Sequence, residues 1–205
     1  MIGIVRAVAV CLFALVTGIA NAQDCASSAA PLCGGTCPSD SVCRNDSSSG
    51  VPGCACIVAE ELVVSKMSIK LNFQKAASDS IQLQALVSIP DDYSPTGDRV
   101  AIDVGGVVKS FVLDEKGKAK TDTEQVKLAV KKSGGAVLAQ DAKLTVKFKK
   151  GSFADELADE GLVDATLEDV PVEVDVVVDA AAKPRKTRLA LLYTAKQGKS
   201  GSAKK

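Results

Sequence analysis

The chain has 205 residues, with 25 basic and 25 acidic side chains, no histidine and only 3% aromatic residues. So even a balance of charge leaves no electrostatic footprint for nucleic acid or for a strongly acidic substrate. Without imidazole there is no Ser-His-Asp or Cys-His catalysis and no His-ligated metal centre.

Residues 1–22 read as an export signal: a short basic start ending at Arg6, an apolar run from Ala7 to Ile19, and Ala20-Asn21-Ala22 as a cleavage site. The mature chain is expected to begin at Gln23 and to be secreted, into the periplasm or the extracellular space. Loss of Arg6 leaves 24 basic residues against 25 acidic ones. Cys25 follows Gln23 and Asp24 rather than a small or apolar residue, so no lipid anchor is expected. No later stretch reaches the about 18 apolar residues of a membrane span.

Residues 23–60 are expected to form a disulfide-rich module. Cys25, Cys33, Cys37, Cys43, Cys54 and Cys56 are spaced C-x7-C-x3-C-x5-C-x10-C-x-C among glycine, proline and serine. Loop composition of this kind buries little, and below about 40 residues disulfides or a metal usually replace a core. An even cysteine count in an exported chain favours disulfides over zinc. Cys54 and Cys56 are too close to be natural partners, so each is expected to reach back to an earlier cysteine.

From Lys66 the pattern turns to period two, the mark of half-buried strands. In "KMSIKLNF" Met67, Ile69, Leu71 and Phe73 point one way; "SIQLQALVSI" and "RVAIDV" repeat the pattern, and Gly105-Gly106 predicts a tight hairpin into a strand at 107–113. Four further runs follow: "QVKLAVK", "KLTVKFKK", "VEVDVVVD" and "TRLALLYT", and each half ends in a similar turn, "EKGK" at 115–118 and "KQGK" at 196–199. The chain thus reads as two strand-rich repeats, about 66–120 and 125–199, within one β domain over 61–199. A two-turn helix is expected from Ser152, whose side chain would cap it with Asp155, to Gly161. The expected fold is mainly β: an antiparallel β-sandwich of two repeats behind a small disulfide-rich N-terminal module, with a closed barrel as the alternative. Residues 200–205, with Lys204 and Lys205 among glycine and serine, are expected to be a flexible tail.

The C-G-G-x-C-P-x4-C run with its closing C-x-C resembles the short cysteine modules of uncharacterised secreted bacterial proteins, and more loosely EGF-type or inhibitor-type modules. "KLNFQK", "DVGG", "SFVLDEKGK" and "LTVKFKKGSFADEL" resemble the repeated strand-rich region of the same proteins, over residues 66–199. That resemblance implies a duplicated β fold and no known activity.

Asp103, Glu173 and Asp175 are expected on solvated strand faces, and Lys143, Lys147 and Lys149 are expected to pair across the sheet with Glu173, Asp175 and Asp179 if their strands are neighbours. Phe73, Phe111 and Phe148 lie on apolar faces as core. Two acidic loops offer hard oxygen ligands for calcium: Asp91, Asp92 and Asp98 in one, and Asp164, Glu168 and Asp169 in the other. The expected protein is no enzyme. It is an exported binding, adhesion or envelope-structural protein whose partner is a macromolecule or envelope component. The alternatives are a protease-inhibitor-like module using the loop from Arg44 to Gly53, and a calcium-dependent adhesion module.

Overall fold

The computed structural model describes residues 37–46, 53–167, 169–181 and 183–205. The export signal, Cys25, Cys33, Glu168 and the inhibitor-loop residues 47–52 lie outside them.

A hairpin of β1 (Ser41–Asp46) and β2 (Gly53–Val58) comes first, followed by β3 (Glu60–Glu61), β4 (Val63–Asn72) and β5 (Asp79–Ile89). Then come β6 (Arg99–Val104), β7 (Val107–Val112), β8 (Lys118–Lys120), β9 (Glu124–Ala129), the small pair β10 (Lys132–Ser133) and β11 (Ala136–Val137), and β12 (Gln140–Gly151). Helix α1 (Ala154–Ala158), β13 (Val170–Val178), β14 (Arg185–Lys196) and β15 (Ser200–Lys204) complete the chain.

The large sheet runs β7-β6-β13-β14-β15-β4-β5-β12-β9-β8, antiparallel at every step, and β3 adds in parallel to the start of β14. Strand β14 is shared between two layers: Arg185–Leu191 pair with β13, and Leu192–Lys196 pair with β15. The sheet therefore folds over on itself, and its two end strands, β7 and β8, do not pair with each other, while β7 approaches β9 and β12 through Lys109–Glu124 and Phe111–Phe148.

Each half of the chain places its first two long strands in one layer and its last two in the other. The layers read β4-β5-β12-β9 and β7-β6-β13-β14, so the central pairs β5–β12 and β6–β13, both antiparallel, occupy equivalent places in the strand order of the two halves. The second half adds β10, β11 and α1, and a further difference bears on the sheet's ends. Strand β14 runs on from its layer to pair with β15, whereas β7 stops at Val112 and β8 follows after a turn.

Period-two alternation puts Met67, Ile69, Leu71, Ile81, Leu83, Val126, Leu144, Val146 and Phe148 into a single core between the layers. Phe111 and Phe148, from opposite layers, stack at 6.0 Å, and Phe153 meets Phe148 edge-on at 6.4 Å; Phe73 is only partly buried at the core's margin. The hairpin between β6 and β7 has Gly105 at φ +55° and Gly106 at φ +91°, the paired left-handed geometry of a two-residue turn. A Cβ on Gly105 would lie 2.9 Å from both Leu157 and Glu160, so the turn needs glycine for space as well as for φ.

Three expectations change. Residues 200–205 are no loose tail: Ser200–Lys204 form β15, paired on both sides, with Ala203 fully buried. Ser152 does not cap α1; its Oγ accepts the Ala77 N–H at 2.9 Å, and the helix begins at Phe153 without a side-chain cap. A five-residue helix held by buried Leu157 draws its stability from packing, so a cap adds little. The lysines of β12 do not face the acids of β13, because β12 lies between β5 and β9 while β13 lies between β6 and β14.

Candidate functional site

Strands β6 and β13 are buried on both faces, which period-two reasoning about a half-buried sheet does not anticipate. The β1–β2 hairpin covers their outer side, where Val42 packs on Ala101 and Val177, with Ala59 beside them. The Cys37–Cys56 disulfide joins the approach to β1 to strand β2, so Cys56 does reach back to an earlier cysteine, and Cys43 is disulfide-bonded too. Main-chain bonds continue the docking: Glu60 N–H to the Pro184 carbonyl at 3.0 Å and Leu62 N–H to the Lys186 carbonyl at 2.9 Å. Arg44, the first residue of the proposed inhibitory loop, donates its guanidinium to the Asp179 carbonyl.

Along the strands from this contact, three charged side chains stand in a row across the sheet. Asp103 lies opposite Asp175, and Asp175 opposite Lys186. Asp103 is 7% and Asp175 6% exposed, so the solvated placement expected for both is overturned; Glu173 stays partly exposed. Lys186 Nζ bonds Glu173 Oε1 at 2.6 Å and stands 3.6 Å from Asp175 Oδ2. Asp103 Oδ1 accepts the Gly106 N–H at 2.8 Å, while Asp175 Oδ1 is buried with no hydrogen-bond partner.

Burial pushes the Asp175 carboxyl up to about 7; Lys186 opposes the rise, and Glu173 and Asp103 reinforce it. Burial also raises Asp103, against the Gly106 N–H, and raises Glu160, against Arg188. Burial alone would lower Lys186, but its hydrogen bond to Glu173 and the charge of Asp175 raise it. The row therefore binds a proton close to neutral pH. Because the folded carboxyl holds that proton more tightly than the unfolded chain does, its contribution to stability is full at acid pH and is lost as pH rises through about 7. Asp175→Asn is expected to raise the melting temperature at pH 8 by several degrees and to flatten its dependence between pH 5 and pH 8. Thermal melts across that range test it: an unchanged slope would show that Asp175 titrates like an exposed acid.

Three of the calcium candidates accept hydrogen bonds from groups elsewhere in the fold. Asp91 Oδ1 accepts the Ala139 N–H at 2.7 Å, and Asp98 accepts the Tyr93 hydroxyl at 2.6 Å and the Ala180 N–H at 3.2 Å. Burial first, then the hydrogen bond to Asp98, raises the Tyr93 phenol well above its ordinary range. Asp164 Oδ2 accepts the Gly198 N–H at 2.6 Å, while Asp92 and Asp169 occupy turn positions with φ of +54° and +52°. Among the described residues no group of three or more His, Cys, Asp or Glu is arranged to hold a metal ion.

One structural acid went unnoticed in the sequence. Asp79 is 2% exposed, and its two oxygens accept the Asn72 and Phe153 N–H groups, each at 2.7 Å, tying β4 to the approach of α1. The only signal was an acidic residue at the head of the inward register that continues through Ile81, Leu83, Ala85, Val87 and Ile89.

Two open depressions among the described residues bear on these elements. A cleft of about 320 Å³ beside the docked hairpin is lined by Asp40, Glu60, Glu61, Glu173, Lys186 and Arg188. A second, of about 370 Å³, lies at the unpaired seam of the large sheet and is lined by Val108, Lys109, Glu124, Lys149, Lys150 and Glu156, among others. Among the described residues no helix is long and apolar enough to cross a membrane.

Fold and disulfide together define a class: a nearly closed antiparallel β-sandwich carrying a disulfide-pinned hairpin on one outer face. Comparison of the chain with protein-family models, with curated proteins and with solved structures found no match.

Proposed function

We propose that this is an exported, non-catalytic binding protein serving adhesion, envelope structure or capture of another macromolecule. What carries the reading is the way the partnered acids are employed. Asp79, Asp98, Asp103 and Asp114 all hold backbone N–H groups at turns and strand ends. Acids fixed in this way make a rigid scaffold, and a rigid surface loses little entropy when it binds. The matching strand order of the layers supports a duplicated four-strand unit as the origin of that scaffold. The position of Arg44 against Asp179 favours the scaffold reading over the inhibitory loop.

The full chain, expressed in a host with an export pathway, tests the proposal. A recovered protein starting at Gln23, with blocked thiols and without turnover on a broad panel of hydrolase substrates, is the expected result. An intact Met1 start with reduced thiols would overturn export, and robust turnover would overturn the non-catalytic reading.

A further inference from the structure

The matching strand order of the two halves makes the outer edges of β14 and β7 directly comparable. On one side the free edge of β14 is covered. Its start pairs with β3, Glu60–Glu61, lying parallel to Arg185–Lys186, and its end pairs with β15. The equivalent strand on the other side is β7, and among the described residues it pairs only with β6.

The register shows which groups are left open. The two-residue turn at Gly105-Gly106 makes Val104 and Val107 a mutually bonded pair, so bonded pairs recur at Ile102 with Lys109 and Val100 with Phe111. The N–H and C=O groups of Val108, Ser110 and Val112 then point away from β6, toward the seam. Ser110 and Val112 are exposed, Val112 at 62%. The seam is pinched at one end by the 114–117 turn, where the Asp114 N–H bonds the Lys118 carbonyl at 2.8 Å, and is bridged within by the Lys109–Glu124 ion pair at 2.9 Å.

We propose that this edge receives an extended, acidic peptide segment of a partner protein, which adds to β7 as a further strand. The proposal rests on the reading of the protein as a binding module and names the class of its partner. The occupant follows from two observations. First, the equivalent edge on β14 is already covered by an extended acidic stretch, Glu60–Glu61, whose Glu60 pairs with Lys183 at 3.3 Å and with Arg185 at 2.7 Å. Second, the cleft beside β7 carries Lys109, Lys149 and Lys150 against Glu124 and Glu156; Glu124 is taken by Lys109, and among the described residues neither Lys149 nor Lys150 has an ion-pair partner. Backbone pairing would supply affinity, and the lysines would select acidic side chains.

The probe is an acetylated, amidated ten-residue peptide alternating valine and glutamate, titrated into the oxidised full protein, with amide hydrogen exchange read at Val108, Ser110 and Val112. Saturable protection of these three amides is the expected result. It should be lost with the same peptide N-methylated at alternate residues, and weakened about tenfold or more when lysine replaces glutamate, the scale of one charge-assisted contact. Ser110→Pro removes an outward N–H at an edge position where proline is tolerated, so it should keep the melting temperature within a few degrees and abolish protection. Three outcomes would overturn the proposal: no protection at millimolar peptide, equal protection by the N-methylated peptide, or protection that grows with protein concentration alone and marks a second copy of this chain as the occupant. None of them bears on export or on the absence of turnover, so failure here is separable from failure of the broader reading.

Discussion

Deleting residues 200–205 is expected to abolish the cooperative thermal transition. Strand β15 sits inside the sheet, with five residue pairs to β14 and five to β4, and it joins the two layers on their closed side. Its removal strips pairing partners from both neighbours and uncovers the core side of Met67, Ile69 and Tyr193, all of them buried. Tyr193 would also lose the floor beneath its ring, because Gly201 packs so closely that a Cβ there would fall 2.1 Å from the Tyr193 hydroxyl. With domain stabilities of about 5–15 kcal/mol, loss of an interior strand exceeds what the remainder can supply. Circular dichroism melts of the truncated and full proteins decide the matter. Lys204→Ala, an exposed change, serves as the control and should cost no more than about 0.5 kcal/mol. A truncated protein that melted like the full one would return residues 200–205 to the status of a tail.

Phe148→Ala is expected to cost about 3–5 kcal/mol, the range for emptying a large aromatic site in a core. Phe148 is fully buried and touches both layers, stacking on Phe111 of β7 and meeting Phe153 ahead of α1. With the Lys109–Glu124 ion pair it spans the open seam, since β7 and β8 share no strand pairing. For a domain of this size the loss corresponds to a drop of about 10 °C or more in melting temperature. Hydrogen exchange in β7 should rise before exchange in β4 and β5. Uniform destabilisation with no bias toward β7 would show that the seam does not depend on this contact.

Much of the strand content was legible because it rests on local physics. Alternation in 66–73 and 143–150 specifies one buried face, and Gly105-Gly106 specifies a two-residue turn, without reference to anything distant. The acids were harder. Asp103 and Asp175 sit at alternating positions that read as outward-facing, yet both are buried, on strands whose outer side carries a second covering where the β1–β2 hairpin packs on Ala101 and Val177. No periodicity in β6 or β13 announces that covering. The same holds for Asp91, Asp98 and Asp164, whose grouping in two loops suggested a shared ion, while the fold gives each its own backbone donor.

By itself the sequence determined the class: a β-rich chain, alternating strands with their inner faces declared, glycine turns, cysteines gathered ahead of the body, and no imidazole chemistry. Those features follow from side-chain period, φ preference and composition, which act over a few residues. Only the tertiary structure decided that the two layers share β14, that β15 is an interior strand, that the hairpin packs over Ala101 and Val177, and that, among the described residues, the outer edge of β14 is covered while that of β7 is open. Each of these depends on which surfaces meet across long sequence separations. A short polar stretch such as Ser200–Lys204 becomes a strand because β14 and β4 leave a gap for its backbone, whatever its own propensity.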